Sequence, residues 1–281
     1  SFLRLTPTIS VITNIEADHL DCYENLEDIQ KAFITFANSV PFYGVNIVCL
    51  DDHGVQKVLP FIDRKIITYG FSAQASLRAV NVRHEGFCSH FETQFEDELL
   101  GEVQLNLPGE HNIKNALAAI GVALELDIPF EKIATALSNF RGVWRRFELL
   151  GETNGITVLD DYAHHPTEIE ATLKGLRSGT TRKIIAVFQP HLYSRTRDFY
   201  QDFGKSFYNS DLLVVTDIYP AREMPIAGVT GRLVADAATQ FGHRNVEYVA
   251  DKNVVPQRIK ELANPGDIII TIGAGDIYKY G

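Results

Sequence analysis

The sequence predicts an α/β protein in two parts: a mixed sheet with helices, followed by a doubly wound sheet. Two observations lead there. Short apolar β-branched runs alternate with stretches of helical spacing along most of the chain. Between residues 76 and 107 that alternation gives way to a period of two, which adds antiparallel strands to an otherwise parallel sheet.

In chain order, residues 8–14 form a β-branched run, and residues 26–37 carry helical spacing at Leu26, Ile29, Phe33 and Phe36. Residues 45–50 and 65–69 read as buried strands. The period-two segment is clearest at Leu77 to Val82, with Glu85 and Gly86 as a turn. Pro108 and Gly109 end it, and helices are predicted over 111–126 and 130–137. The second half alternates more regularly, with strands at 156–160, 183–188, 212–217, 246–249 and 267–272. Helices fit between them at 167–176, 196–207, 230–241 and 252–262. A doubly wound sheet places its ligands at the carboxyl ends of strands. The expected division is 1–145 and 146–281, across the arginine-rich stretch from Gly142 to Phe147.

The bulk composition narrows the function classes. A chain of 281 residues has room for about two domains at roughly 150 residues each. The formal net charge of -10 argues against a nucleic-acid partner, whose phosphates require a basic face. It leaves room for a nucleotide, since local arginines and helix N-termini bind single phosphates. The three cysteines, Cys22, Cys49 and Cys88, form no pair at metal-ligand spacing and read as reduced. No stretch approaches the roughly 20 apolar residues of a membrane span, and no signal peptide is visible, so a cytoplasmic location is expected. Ser1 enters a strand pattern almost at once, so further sequence is expected upstream.

Polar groups concentrate where strands end. Asn14 to Asp21 offers carboxylates and His19 to a hard cation, although an acidic turn with a helix cap explains that segment more simply. Asn112 and Asn115 lie three apart on one helix face, where amides suit a nucleobase edge; N-capping by Asn112 is the open alternative. Arg145 and Arg146 present planar forks that suit phosphate, or are a surface pair. The most informative segments are Asp160 to Thr167 and Gln189 to Arg197. Each follows a strand and opens a helix, which brings Asp161, Tyr162, His164, His191 and Arg195 to neighbouring strand ends. So many ionisable groups are hard to explain by packing. No metal-ligand pair of histidines and no nucleophile elbow stands out, so a metal hydrolase is a minor alternative. Gly273-Ala274-Gly275 is either a phosphate approach or a tight turn.

Taken together, Asp160-Asp161-Tyr162-Ala163-His164-His165-Pro166-Thr167-Glu168, Phe188 to Asp198 and Thr13 to Asp21 resemble the Mur ligases, the ATP-dependent amide-forming enzymes of peptidoglycan synthesis. The resemblance covers essentially the whole chain and is strongest with the alanine-adding branch. It implies part of a central ATPase domain followed by a Rossmann-like C-terminal domain. It implies ATP and Mg2+ as cofactors, UDP-N-acetylmuramate and L-alanine as substrates, and an acyl phosphate between them; a homodimer is compatible with it. Residue by residue, it places His19 on magnesium, Asn112, Asn115, Arg146 and Asp161 on ATP, and Tyr162, His164, His191 and Arg195 around the amino acid or product. His164 and His191 are its candidate bases, and Arg195 stands with them as a catalytic candidate. Leu192 departs from the family, where arginine is common. The family's phosphate loop, magnesium carboxylate and UDP-binding domain are expected upstream of Ser1. The alternatives are a recycling ligase of the same family that takes a murein tripeptide, and a nucleotide-binding fragment without turnover.

Overall fold

A computed structural model of the chain describes residues 2–16, 23 and 25–281. His19 and the carboxylates beside it lie outside the described residues. The chain divides into two units, Ser1–Phe140 and Arg141–Gly281.

The first unit holds β1 (Ile9–Ile12), α1 (Leu26–Asn38), β2 (Val45–Cys49), α2 (His53–Val58), β3 (Ile66–Gly70), β4 (Leu77–Glu85), β5 (Cys88–Phe95), β6 (Glu98–Leu105), α3 (Glu110–Glu125) and α4 (Phe130–Asn139). Its six strands lie in sequence order. β1 to β4 pair in parallel, and β4, β5 and β6 pair antiparallel, which is the mixed sheet the change of period predicted. Local chemistry starts the helices. The Asn25 side chain accepts from the Asp28 amide at 3.0 Å, and Asp52 accepts from Val55 at 2.8 Å. Val48 joins Ile29, Val55 and Val58 in one buried cluster. Its neighbour Ile47 points the other way and meets α3 at Gly121, so both sheet faces are covered. The helix α2 was not expected from the sequence, because six residues are too few to show a period.

The second unit holds β7 (Glu148–Thr153), β8 (Ile156–Asp161), α5 (Pro166–Ser178), β9 (Ile184–Phe188), α6 (Tyr193–Lys205), β10 (Leu212–Val215), α7 (Arg232–Gln240), β11 (Val246–Tyr248), α8 (Val255–Leu262) and β12 (Ile268–Ile272). The strand order is β11-β10-β9-β12-β8-β7. Every pair is parallel except β7 with β8. The sheet is doubly wound. Ile185, Val187, Val214 and Ile269 pack with Val255 and Ile259 of α8, whereas the Phe188 ring lies tilted against Phe203 and Phe207 at 5.3 and 5.2 Å. Burying side chains of this size contributes about 1.5–3 kcal/mol each.

β7 is an addition to the expected list. Its residues alternate poorly and are mostly exposed, with a register shift between Leu149 and Gly151, so it carries no clear strand signature. The unit also starts earlier than the expected 146. Arg145 is buried within it and bonded to Asp160, Gly273 and Gly275.

Candidate functional site

The last strand of the second unit inserts between β8 and β9, and this placement creates the site. Ile272 is in register with Asp161 on one side and with Phe188 on the other. The loops after these three strands, 162–165, 189–192 and 273–276, therefore leave the sheet side by side. The structure brings together Tyr162, His164, His191 and Arg195, as the motif reading expected.

Arg145 forms the floor. Its Nε donates to Asp160 at 2.9 Å, and its two terminal nitrogens donate to the carbonyls of Gly275 and Gly273 at 3.0 and 2.7 Å. The rings of Tyr162 and Tyr278 lie against the guanidinium at 5.0 and 4.3 Å. Asp160 also accepts from Thr271 at 2.7 Å, so the buried charge is paired and further hydrogen-bonded. The phosphate reading of Arg145 is thereby corrected: the fork is buried, and each of its three nitrogens donates to a partner within the unit. Arg146 is exposed, 5.3 Å from the Tyr162 ring and 3.5 Å from Glu168.

Asp161 is 4% exposed. It accepts from the amides of Phe147 at 2.9 Å and Ala163 at 2.8 Å. Burial pushes its carboxyl up to about 6, against the pull of those two amides. In this structure it fastens the backbone on either side of the strand end.

His164 packs edge-on against Tyr162 at 5.3 Å and His191 at 6.1 Å. Its Nδ1 lies 3.0 Å from the Tyr162 carbonyl and 3.4 Å from a Glu168 oxygen. Both are acceptors, so Nδ1 carries the hydrogen and Nε2 the lone pair. Burial pushes the imidazole below its ordinary range, opposed by Glu168 and the Tyr162 carbonyl and assisted by Arg195 and Arg146. His191 stacks on Tyr219 at 5.7 Å with rings 13° apart. Its Nδ1 is buried without a hydrogen-bond partner among the described residues. Burial, with His164 and Arg195, pushes it down to about 4. Both rings are therefore neutral at neutral pH and available as acceptors.

Three residues outside the expected set build the walls. Glu168 accepts from the amides of His164 and His165 at 2.9 and 3.2 Å, closing the α5 capping box around Pro166 at its first turn. Glu223 accepts from Ser194 through its amide at 2.9 Å and its hydroxyl at 2.5 Å, which anchors the first turn of α6. Tyr219 supports His191. Glu168 stood inside a quoted motif with a visible capping-box spacing, whereas Glu223 and Tyr219 are distant in sequence and gave no signal. Leu192, at the start of α6, has φ 70° and ψ 136°, a conformation that L-residues rarely hold and that collects at functional loops. Gly273 and Gly275 are explained by packing. A Cβ on Gly273 would meet the Gln189 carbonyl at 2.6 Å, and one on Gly275 would strike the Gln189 side chain and Tyr219.

In the first unit, Gly109 at φ 95° precedes α3 and takes the cap position offered to Asn112. The Asn112 amide instead donates to the Pro108 carbonyl at 2.8 Å. Asn115 is exposed one turn on. Cys49 and Cys88 are free thiols. Among the described residues no three His, Cys, Asp or Glu side chains could hold a metal ion, and no helix is long and apolar enough to cross a membrane.

A parallel α/β unit with an ionisable cluster at adjacent strand ends has the form of a ligand-binding domain. Residues 1–123 match the family described as the Mur ligase middle domain, and residues 145–275 match the Mur ligase glutamate ligase domain. This chain belongs to the Mur ligase family, as its middle and C-terminal domains. A UDP-N-acetylmuramate–L-alanine ligase of Salinibacter ruber is 54% identical over 99% of this chain and 59% of its own length. The enzyme of the same name from Geotalea daltonii is 48% identical over all of this chain and 61% of its own. The chain thus spans about three fifths of the length of the curated relatives it matches. Among solved structures, a UDP-N-acetylmuramate–alanine ligase from Thermotoga maritima superposes with a TM-score of 0.78 at 25% identity, covering 99% of this chain and 59% of that one.

Proposed function

We propose that this chain is the ATP- and amino-acid-handling part of an enzyme that joins L-alanine to UDP-N-acetylmuramate in the cytoplasm. The observation that carries the reading is the cluster of neutral His164 and His191 beside Arg195 at the carboxyl ends of β8 and β9. The identity to alanine-adding relatives supports it. An incoming amino acid needs a cation for its carboxylate and a neutral acceptor near its amine. Arg195 is assigned the first task. His164, whose Nε2 carries the lone pair, is assigned the second, with His191 beside it.

ATP would supply the activation of the muramoyl carboxylate, as an acyl phosphate. Asn112 and Asn115 are assigned to the adenine and the exposed Arg146 to phosphate. Asp161 acts by holding Phe147 and Ala163, and through Phe147 the backbone next to Arg146. The Tyr162 ring, pressed on Arg145, gives the amino-acid side of the site an aromatic wall. Magnesium belongs to the same reading through His19. A homodimer is compatible with the reading and is not required by it.

The test uses the full-length protein and follows ADP release. L-Alanine with UDP-N-acetylmuramate should trigger release, while a murein tripeptide in place of the amino acid should not. His164→Ala and His191→Ala should each lower kcat by roughly 10²–10⁴-fold, with much smaller changes in ATP affinity. Release that depends on the tripeptide alone, or full turnover in both variants, rejects the reading.

A further inference from the structure

A neutral imidazole among arginines is a poor base, because any proton it gains is repelled. His164 faces Arg195 from α6 and Arg146 from the segment before β7, and both push its proton affinity down. From the β9 loop it faces His191, which in turn lies near Glu223 and Arg222. On its own element, Glu168 is the one negative group that acts on it. Its Oε2 lies 3.4 Å from Nδ1, while the same carboxylate is held by the amides of His164 and His165 at 2.9 and 3.2 Å. The capping box therefore does two things at once. It starts α5, and it fixes a carboxylate on the edge of the imidazole opposite the lone pair.

We infer that Glu168 is a positioning residue for the amide-forming reaction: while the Tyr162 carbonyl takes the Nδ1 hydrogen of His164 at 3.0 Å, the Glu168 carboxylate at 3.4 Å supplies the negative charge that lets Nε2 take a proton. This rests on the assignment of His164 as the acceptor of the amine proton. The backbone carbonyl sets the tautomer, and the carboxylate fixed beside the same nitrogen raises the basicity of the other. Arg146 shares the same carboxylate at 3.5 Å.

Glu168→Gln separates the two tasks. Glutamine keeps a carbonyl oxygen for the amides of His164 and His165, so the cap survives, and only the charge is lost. In full-length protein with 15N-labelled histidine, the His164 resonances should report Nδ1–H above the titration midpoint. That midpoint should fall in Glu168→Gln by on the order of half a pH unit or more. Turnover should drop about tenfold with KM for ATP little changed, and the acid limb of the kcat/KM profile for L-alanine should move to lower pH with the midpoint. Glu168→Ala should lose thermal stability as well. An unchanged His164 midpoint in Glu168→Gln overturns the proposal. A midpoint that falls while the acid limb stays in place sustains the Glu168–His164 coupling and removes His164 as the base.

Discussion

His191 shows how a residue's surroundings convert a common side chain into a pH-dependent one. Its pKa lies at about 4 instead of the ordinary 6.5 because burial and nearby cations disfavour the charged ring. The folded value is depressed, so the unfolded chain binds the proton more tightly. The contribution to stability is complete above pH 6.5 and is lost as pH falls toward 4. Asp161 acts with opposite sign in an overlapping window. Its carboxyl is raised from 3.8 to about 6, so its charging costs stability as pH rises through that range. His191→Gln isolates the histidine's share. Urea unfolding between pH 7 and 4 should show a shallower loss of stability in the variant, by up to about 1.4 kcal/mol per pH unit. Parallel slopes would mean that the ring is protonated equally in both states. Histidines at these positions were legible from the motifs. Their neutrality was not, because it depends on Arg195 and on Tyr219, twenty-eight residues beyond His191, which no local pattern brings near.

Among the elements, α6 carries the site on its first turn and its anchor on its last. Leu192, Tyr193, Ser194 and Arg195 open the helix, and Glu223 holds Ser194 in place. Further along, Gly204 faces α7 so closely that a Cβ would lie 2.8 Å from the backbone carbon of Ala237 and 2.9 Å from the Ala238 amide. A methyl group there meets backbone and has no flexible side chain to displace. Gly204→Ala should therefore lower the urea midpoint without changing the m-value, at a cost of about 1–3 kcal/mol. A more stable variant would show that the two helices can part freely. The sequence marked a helix here but began it at Thr196, one turn late. Tyr193 and Ser194 are weak helix formers, and their place in the first turn is secured by Glu223 from a distant loop. α5 was read more accurately, because Pro166 and Glu168 are local start signals.

The whole chain is two units, and the place where they divide has a physical cost that can be measured. Residues 141–281 enclose the Arg145–Asp160 pair, with side chains 7% and 0% exposed, and should unfold as one cooperative body when expressed alone. Residues 146–281, the span expected from the sequence, leave Asp160 buried without its partner. That polypeptide should be less stable by about 3–5 kcal/mol, the usual consequence of stranding one member of a buried pair. Equal stability by calorimetry would return the boundary to Arg146. The fold class was legible in the order of residues, because hydrophobic periods of two and 3.6 must be buried on sheets and helices. The order of residues also marked which segments gather polar side chains, because Asp, His, Tyr and Arg cluster where two strands end. Which of them lie side by side was set by long-range pairing. Inserting β12 between β8 and β9 joined their two loops into one site, and burial around that site separated a structural Arg145 from an exposed Arg146. Long-range pairing and local dielectric set both outcomes, and neither is written in the order of neighbouring residues.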